Sequence, residues 1–440
     1  MTTSRMYGRV SGRKLLVAVF LVGILFVLPL STLGVHDSIA ATPDSFLPVD
    51  NATPRQLRST LLDNLGVSKW HQAGYRGRGL KVAVLDTGFQ GYRQQLGKSL
   101  PAKVSIKSFR DDGNLEARDS QHGILCAEVV HTLAPDAELF FANWEPDRPE
   151  TFLAAVNWAR DQGVKIISCS VIMPTWSDGE GHGLVHRSLA RLLGSGGGAR
   201  DLLCFASAGN TAQRHWSGTF QDDGHGCHLW TPGETGNVVK PWGNEGVSVE
   251  VCWRSDSCYE AVLSDATTER EITRSVPCVS ADRCCAVVRF LPEEGRVYRL
   301  RLRLVRGVPG PFHLVVLGGG LSSSTRRGSI AFPADGPEVI AVGAVDRSGR
   351  RCSYSSCGPN SEVPKPEFVA EVPFPCALRE RPFHGTSAAA PQAAALATLL
   401  WCRHAEWSAR QVREALQKEV HRLGASEHDC ETGYGCIHLP

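Results

Sequence analysis

Three side chains far apart in the chain have the types that together make an acyl-transfer centre: a hydroxyl at Ser387, an imidazole at His122 and a carboxylate at Asp86. A serine hydroxyl is a weak nucleophile until a positioned base takes its proton, and that base needs an anion to fix its tautomer. Asp86 ends the run Lys81-Val-Ala-Val-Leu85, the pattern of a buried parallel strand that delivers a carboxylate at its C-terminal end. His122 precedes Gly123 and then Ile124, Leu125, Ala127, Val129 and Val130, a helical apolar spacing that seats the imidazole near a helix start. Ser387 lies in Gly385-Thr-Ser-Ala-Ala-Ala-Pro391, just ahead of an alanine-rich helix. Asn210 follows Gly209 beyond the predicted strand Leu202 to Ala206, where a carboxamide can donate to a developing oxyanion. Each residue alone has a plainer reading, as a strand-end cap, a satisfied core histidine, a helix cap or an Asn-capped turn. Their combination points to chemistry.

The segments VAVLDTGF (82–89), QHGILCAEVV (121–130), FASAGN (205–210) and FHGTSAAAP (383–391), in that order, resemble the signature segments of the subtilisin-like serine peptidases. The similarity covers roughly Leu65 to Asn210 and Ile330 to Val420 and lapses between them. It implies an α/β fold, a mostly parallel sheet with helices on both faces. It also implies Ser387 as nucleophile, His122 as general base and then acid, Asp86 as the residue that orients His122, and Asn210 as an oxyanion donor. Ser170, Val171 and Ile172 stand where the family has Ser-Leu-Gly, whose backbone pairs with the substrate and whose glycine opens the specificity pocket. Ile172 is the clearest departure, and either narrows that pocket or shifts its edge. Lys365-Pro-Glu367 stands where the family usually has Lys-Pro-Asp. The chemistry implied needs no cofactor. The resemblance leaves room for structural calcium, although no fixed-spacing calcium loop and no metal site is visible in the sequence. The runner-up reading belongs to another class: a catalytically silent secreted binding or scaffold protein that keeps the peptidase fold, its cleft blocked by Ile172 or by an inserted domain.

The elements that must position these residues follow from periodicity. Thr151 to Arg160 carries the apolar stripe of a helix, Gly163 ends it, and Val164 to Ser170 is the next strand, a unit of a parallel sheet with right-handed crossovers. Leu184 to Leu193 reads as a helix broken by Ser195-Gly-Gly-Gly198. Val247 to Trp253, Tyr259 to Leu263, Cys285 to Phe290, Val297 to Val305 and Phe312 to Leu317 are short alternating runs without helix patterning. They predict an antiparallel, jelly-roll-like β-sandwich inserted beside Asn210. The expected organisation is residues 1–40 as signal peptide or membrane anchor, 41–64 as a short linker or N-terminal extension, 65–213 and 330–423 as the two parts of the catalytic domain, 214–329 as the insert and 424–440 as a tail.

With 47 Lys and Arg against 45 Asp and Glu in 440 residues, the formal charge of +2 gives no case for a nucleic-acid partner. The expected partner is a protein or peptide substrate, and the chain is read as a monomer. Arg5, Arg9, Arg13 and Lys14 precede the apolar run Leu15 to Leu30, which is followed by Ser38-Ile-Ala40. That is the layout of an export signal, cleaved after Ala40 or kept as an anchor through residues 15–30, with the protein secreted or extracytoplasmic in either case. Asn51-Ala-Thr is a glycosylation acceptor pattern. Of the 15 cysteines, Cys126, Cys169 and Cys204 fall in apolar core-like segments, while Cys352 with Cys357 and Cys430 with Cys436 are spaced as local disulfides, the second folding back the tail. His225, Cys227 and His228 lack a clean zinc spacing and read as surface-loop residues.

Overall fold

The computed structural model describes residues 54–117, 120–194, 201–254, 256–279, 284–360 and 362–440. The export segment, the Asn51 pattern and the break at residues 195–198 lie outside them. Among the described residues no helix is long and apolar enough to cross a membrane.

A nine-stranded sheet runs from edge to edge as Val420–His421, Cys436–Ile437, Phe368–Glu371, Ile340–Val345, Leu203–Ser207, Ile166–Cys169, Lys81–Leu85, Glu138–Trp144 and Ser105–Phe109. Every neighbouring pair is parallel except the first, Val420–His421 against Cys436–Ile437. Successive residues of a strand face opposite sides, so a strand buried on both must be apolar throughout. In Lys81–Leu85, Val82 and Val84 join the core that includes Ile124 and Val130 of helix His122–Leu133 and the alanines of helix Thr386–Arg403. Ala83 and Leu85 join the opposite core, with Phe152 and Ala155 of helix Pro149–Asp161 and Leu189 of helix Leu184–Leu193. Helices therefore cover both faces.

Two five-stranded antiparallel sheets fill the region where the family resemblance lapses. One has the order Glu271–Arg274, Cys258–Asp265, Tyr298–Arg306, Asn237–Pro241, Gly319–Leu321; the other Cys278–Val279, Cys284–Phe290, Val247–Trp253, Pro311–Leu317, His215–Thr219. They enclose a shared core of Val247, Val249, Val251, Tyr259, Leu263, Val288, Leu300, Phe312 and Leu314, so they form a sandwich. The alternating runs of the sequence are its long strands, and the remaining strands are short or polar and carry no alternation.

The second sheet has an unusual outer face. Ser248, Glu250, Cys252, His313 and Val315 point away from the sandwich core yet are also buried. They are covered because Val247–Trp253 packs against the Pro174–Trp176 turn of the catalytic part. A buried polar chain crosses the same seam. The His215 ring nitrogen Nδ1 meets the Thr325 carbonyl at 2.8 Å, His215 Nε2 meets His313 Nδ1 at 3.1 Å, and His313 Nε2 meets the Glu180 carboxylate at 2.7 Å. Burial and the neighbouring His313 push the pKa of His215 down to about 3, so it is neutral in this chain of bonds.

Two expectations are corrected. His228 is fully buried, its ring packed among Trp216, Phe220, Trp230 and Phe312, because the loop that carries it dips into the sandwich core; burial lowers its pKa to about 4. Residues 54–64, expected as linker or extension, form a helix whose Leu61 is buried and whose Arg58 donates to the buried Glu128 carboxylate at 2.8 Å, so this part is no loose linker. Among the described residues no disulfide is formed. The tail nevertheless folds back, held by backbone pairing: Cys436–Ile437 enters the sheet beside Phe368–Glu371, the Leu439 N–H donates to the Leu65 carbonyl at 2.9 Å, and Trp70 Nε1 donates to the Pro440 carbonyl at 3.0 Å. Cys126, Cys169 and Cys204 are buried as expected.

Candidate active site

Asp86 stands one residue past its strand and is fully buried, which a carboxylate tolerates only when its lone pairs are occupied. Oδ1 accepts the N–H groups of Thr87 at 2.8 Å and Gly88 at 3.1 Å, and Oδ2 accepts from His122 Nδ1 at 2.7 Å. That bond places the ring proton on Nδ1 and leaves Nε2 as the basic nitrogen. His122 is the first residue of its helix, and the helix start is pressed against the Asp86 turn. A Cβ on Gly123 would lie 2.6 Å from the Gly88 carbonyl oxygen and 2.9 Å from Asp86 Cβ, and one on Gly88 would lie 2.6 Å from Ser120 Cβ. Only glycine at both positions permits the approach. Phe383 packs edge-on to the imidazole at 5.7 Å.

Ser387 is the second residue of helix Thr386–Arg403 and is 3 % exposed. Pro391, four residues on, has no N–H, so the Ser387 carbonyl has no helical partner. It accepts instead from the Ser170 hydroxyl at 3.2 Å and the Cys126 thiol at 3.7 Å. Cys126 ties the groups together, because its sulfur is also 3.9 Å from Asp86 Oδ2 and 4.0 Å from His122 Nδ1. The Ser387 hydroxyl donates to the Ser170 carbonyl at 3.4 Å, a long bond that a substrate can exchange. Asn210 presents Oδ1 to the Thr386 N–H and to the Thr386 hydroxyl, each at 3.0 Å, which leaves its NH₂ as the outward donor.

Electrostatics separates the histidine from its reference behaviour. Burial works against charge on His122, but the Asp86 carboxylate outweighs it and holds the imidazole well above its ordinary value. Burial also pushes the Cys126 thiol up, so it sits under the site as a neutral group.

Ser387, Asn210, Ser170, Val171 and Ile172 line one cleft that is open to solvent. Ile172 is half-buried and lies over Gly209, at the cleft wall. The sequence reading misses the rest of that wall: Thr175 and Trp176 from the short turn, Asp147 beyond strand Glu138–Trp144, and Glu250, Arg289 and Leu317 from the sandwich. The even positions of Val247–Trp253 alternate with core valines and so read in the sequence as a solvent face.

Among the described residues the only group of three His, Cys, Asp or Glu side chains with ligand atoms within 4.8 Å of one another is Asp86, His122 and Cys126. An imidazole and a thiol do not suit calcium, which takes six to eight oxygen ligands. This group does not fit the calcium that the resemblance allows.

The sequence profile described as the subtilase family matches residues 77–239 and 312–435. This chain belongs to the subtilase family. The unmatched stretch, 240–311, lies within the two antiparallel sheets. Subtilisin DY of Bacillus licheniformis is 36% identical over 113 residues, 26% of this subtilase and 41% of the relative. Subtilisin of Bacillus pumilus is 34% identical over 108 residues, 24% of this subtilase and 39% of the relative. The matches thus span about two-fifths of these curated relatives. Among solved structures, the CspB protease of Clostridium perfringens superposes with a TM-score of 0.59 at 15% identity, covering 84% of this subtilase and 94% of that chain, which is a likeness of fold.

Proposed function

We propose that this subtilase is a serine endopeptidase that hydrolyses peptide bonds of protein or peptide substrates through an acyl-enzyme. Ser387 is the nucleophile, His122 the general base and then acid, Asp86 the residue that orients His122, and Asn210 a donor to the oxyanion. His122 Nε2 takes the hydroxyl proton as Ser387 Oγ attacks the carbonyl carbon. The tetrahedral oxygen is met by the Asn210 NH₂ and the Ser387 backbone N–H, one of the unbonded donors of a helix's first turn. His122 then passes the proton to the departing amine, leaving the acyl group on Ser387, and water reverses the sequence. Ser170, Val171 and Ile172 offer the edge along which the substrate backbone lies.

The observation that carries this reading is the 2.7 Å bond from His122 to a fully buried Asp86, in a cluster where Cys126 contacts both residues and the Ser387 carbonyl. An ion-paired imidazole of raised basicity, linked through Cys126 to a serine at a helix start, supports a role in proton abstraction. The test is hydrolysis of a peptide substrate by wild type and by Ser387→Ala. A hydroxyl-to-hydrogen change costs little packing, so the variant should fold and lose activity, whereas residual activity within about tenfold of wild type contradicts the assignment. The rival reading, a silent binding protein with the same fold, draws on Ile172 at the cleft wall and on the bond that holds the Ser387 hydroxyl to Ser170.

The basic flank and apolar run ahead of Ser38-Ile-Ala40 support export, with the catalytic part outside the cytoplasm and the N-terminal segment either removed or kept as an anchor. In an oxidising compartment some of the cysteines then become available for disulfides. Determining the N-terminus of the mature protein and its membrane partitioning separates the cleaved from the anchored form, and soluble cytosolic protein beginning at Met1 contradicts both.

A further inference from the structure

We propose that Arg58, in the N-terminal helix Pro54–Asn64, is a positioning residue for catalysis: through Glu128 it latches the loop between Phe374 and Phe383, whose far end packs on His122. The proposal rests on the peptidase reading of Ser387 and His122. Glu128 interrupts an otherwise apolar stretch of helix His122–Leu133, the helix that begins with the general base, and is 1 % exposed. A carboxylate so placed needs donors on both oxygens. Oε1 accepts from Arg58 Nη2 at 2.8 Å and from the Ala377 N–H, and Oε2 accepts the Leu378 N–H at 3.1 Å. Arg58 Nη2 also donates to the Pro375 carbonyl at 3.2 Å, so one guanidinium joins the helix of His122 to the neck of the loop.

The loop passes that anchoring on to the base. Phe374 and Phe383 exchange backbone hydrogen bonds of 2.8 Å in both directions, which closes the loop where it leaves the sheet. Arg379 follows directly on the Leu378 N–H that Glu128 holds, and folds back over the loop. Its Nε donates to the Arg381 carbonyl at 3.0 Å, its Nη2 to the Pro382 carbonyl at 3.3 Å, and its guanidinium lies 5.8 Å from the centre of the Phe383 ring. Phe383 is 2 % exposed and meets the His122 imidazole edge-on, so it limits rotation of a ring whose Nδ1 is already fixed by Asp86. Without Arg58, Glu128 loses the cation that offsets its buried charge and the Pro375 carbonyl loses a donor, which loosens the loop at its neck. Among the described residues the cleft of Ser387 is walled by other segments. Arg58 therefore bears on the chemical step, through the orientation of His122, and not on substrate binding.

The experiment measures kcat, KM and amide exchange in the whole chain carrying Arg58→Met, which keeps the stem and removes the guanidinium, or Arg58→Lys, which keeps the charge, well below each protein's thermal midpoint. Arg58→Met should lower kcat on a peptide substrate by about tenfold with KM within about twofold, and Arg58→Lys should recover at least about a third of the wild-type kcat. In hydrogen-exchange mass spectrometry the peptide spanning residues 375–383 should exchange at least about tenfold faster in Arg58→Met than in wild type, with helix Thr386–Arg403 unchanged. A merely structural role would lower the thermal midpoint and leave kcat per folded molecule alone. If Arg58→Met does not fold, Arg58→Gln, which keeps a donor, carries the same measurements, with a kcat loss of at least about threefold. An unchanged kcat, a loss confined to KM, no recovery with lysine, or unaltered exchange in the loop overturns the proposal. Labelling by a small fluorophosphonate separates the two claims: wild type labelled at Ser387 with a variant that matches it in kcat overturns the Arg58 role alone, and wild type that neither reacts nor hydrolyses peptide overturns the peptidase reading with it.

Discussion

Asn210 is held by Thr386, the residue immediately before the proposed nucleophile, through two bonds of 3.0 Å to a single oxygen. The Thr386 hydroxyl also accepts the Gly209 N–H at 3.2 Å, so it is a link between the strand-end turn and the helix start. An oxyanion donor acts only if its orientation is set before the charge develops. Asn210→Ala should therefore lower kcat by about 100-fold or more with a smaller change in KM. Thr386→Val keeps the shape but removes the donor, and should lower kcat by about tenfold, with Thr386→Ser restoring most of it. A loss carried wholly by KM in either variant contradicts the oxyanion role.

The pH profile follows from the sign of the His122 shift. The base must be neutral to act, and Asp86 raises its pKa, so activity should climb above the ordinary imidazole value of about 6.5 and reach its plateau in the alkaline range. The residue type alone predicts a rise through neutral pH; the buried carboxylate moves it. Asp86→Asn should shift the limb downward while lowering kcat by about 10,000-fold, since the amide no longer fixes the tautomer. A wild-type limb centred at or below about 6.5 in kcat/KM contradicts the electrostatics derived for this pair.

The helix start that carries His122 is legible in the sequence, and so are the strand ends at Asp86, Ser170 and Asn210, because two-sided burial writes a continuous apolar run and a helix writes a periodic one. The cleft's other wall is not. In Val247–Trp253 the even positions Ser248, Glu250 and Cys252 look like the solvent face of a sandwich strand, and only docking against Pro174–Trp176 buries them. His228 hides for the same reason, since nothing local marks a loop that enters an aromatic core. The helix at 54–64 did carry a signal, the spacing of Leu57, Leu61 and Leu65, which its polar and proline-containing surroundings obscure. Removal of the insert should consequently do more than free the cleft: it strips the cover from Trp176 and breaks the His313 to Glu180 contact.

Behind the cleft, Asp335 is fully buried and accepts from His186 Nε2 at 2.9 Å and from the Gly181 N–H at 3.2 Å, with Ser177 as a further donor at 2.5 Å. Burial raises its pKa, but the His186 charge and these hydrogen bonds win and hold it below the ordinary carboxyl value. A depressed carboxyl contributes stability above its unfolded pKa of about 3.9 and loses it as the pH falls through the lower folded value. Asp335→Asn should cost about 3 to 5 kcal/mol at neutral pH, read as a lowered urea midpoint, and should flatten the acid limb of the stability curve. An unchanged midpoint would show that the loop 177–183 is anchored by other contacts.

Gly123→Ala tests the close approach of the His122 helix to the Asp86 turn. The added methyl cannot fit 2.6 Å from the Gly88 carbonyl without moving one of the two segments. Activity should fall by about 100-fold or more, a loss of the size expected when reacting groups are displaced by about 1 Å. Activity within threefold of wild type would mean that the approach is dispensable.

A Ser387 nucleophile activated by His122 should react with a small fluorophosphonate, and peptide mass spectrometry locates the adduct. Wild type should carry a single phosphonylated residue, Ser387, with no adduct in Ser387→Ala and labelling slowed by about 1,000-fold or more in His122→Ala. Wild-type protein that is folded yet unlabelled at Ser387, or labelled equally fast without His122, would contradict it.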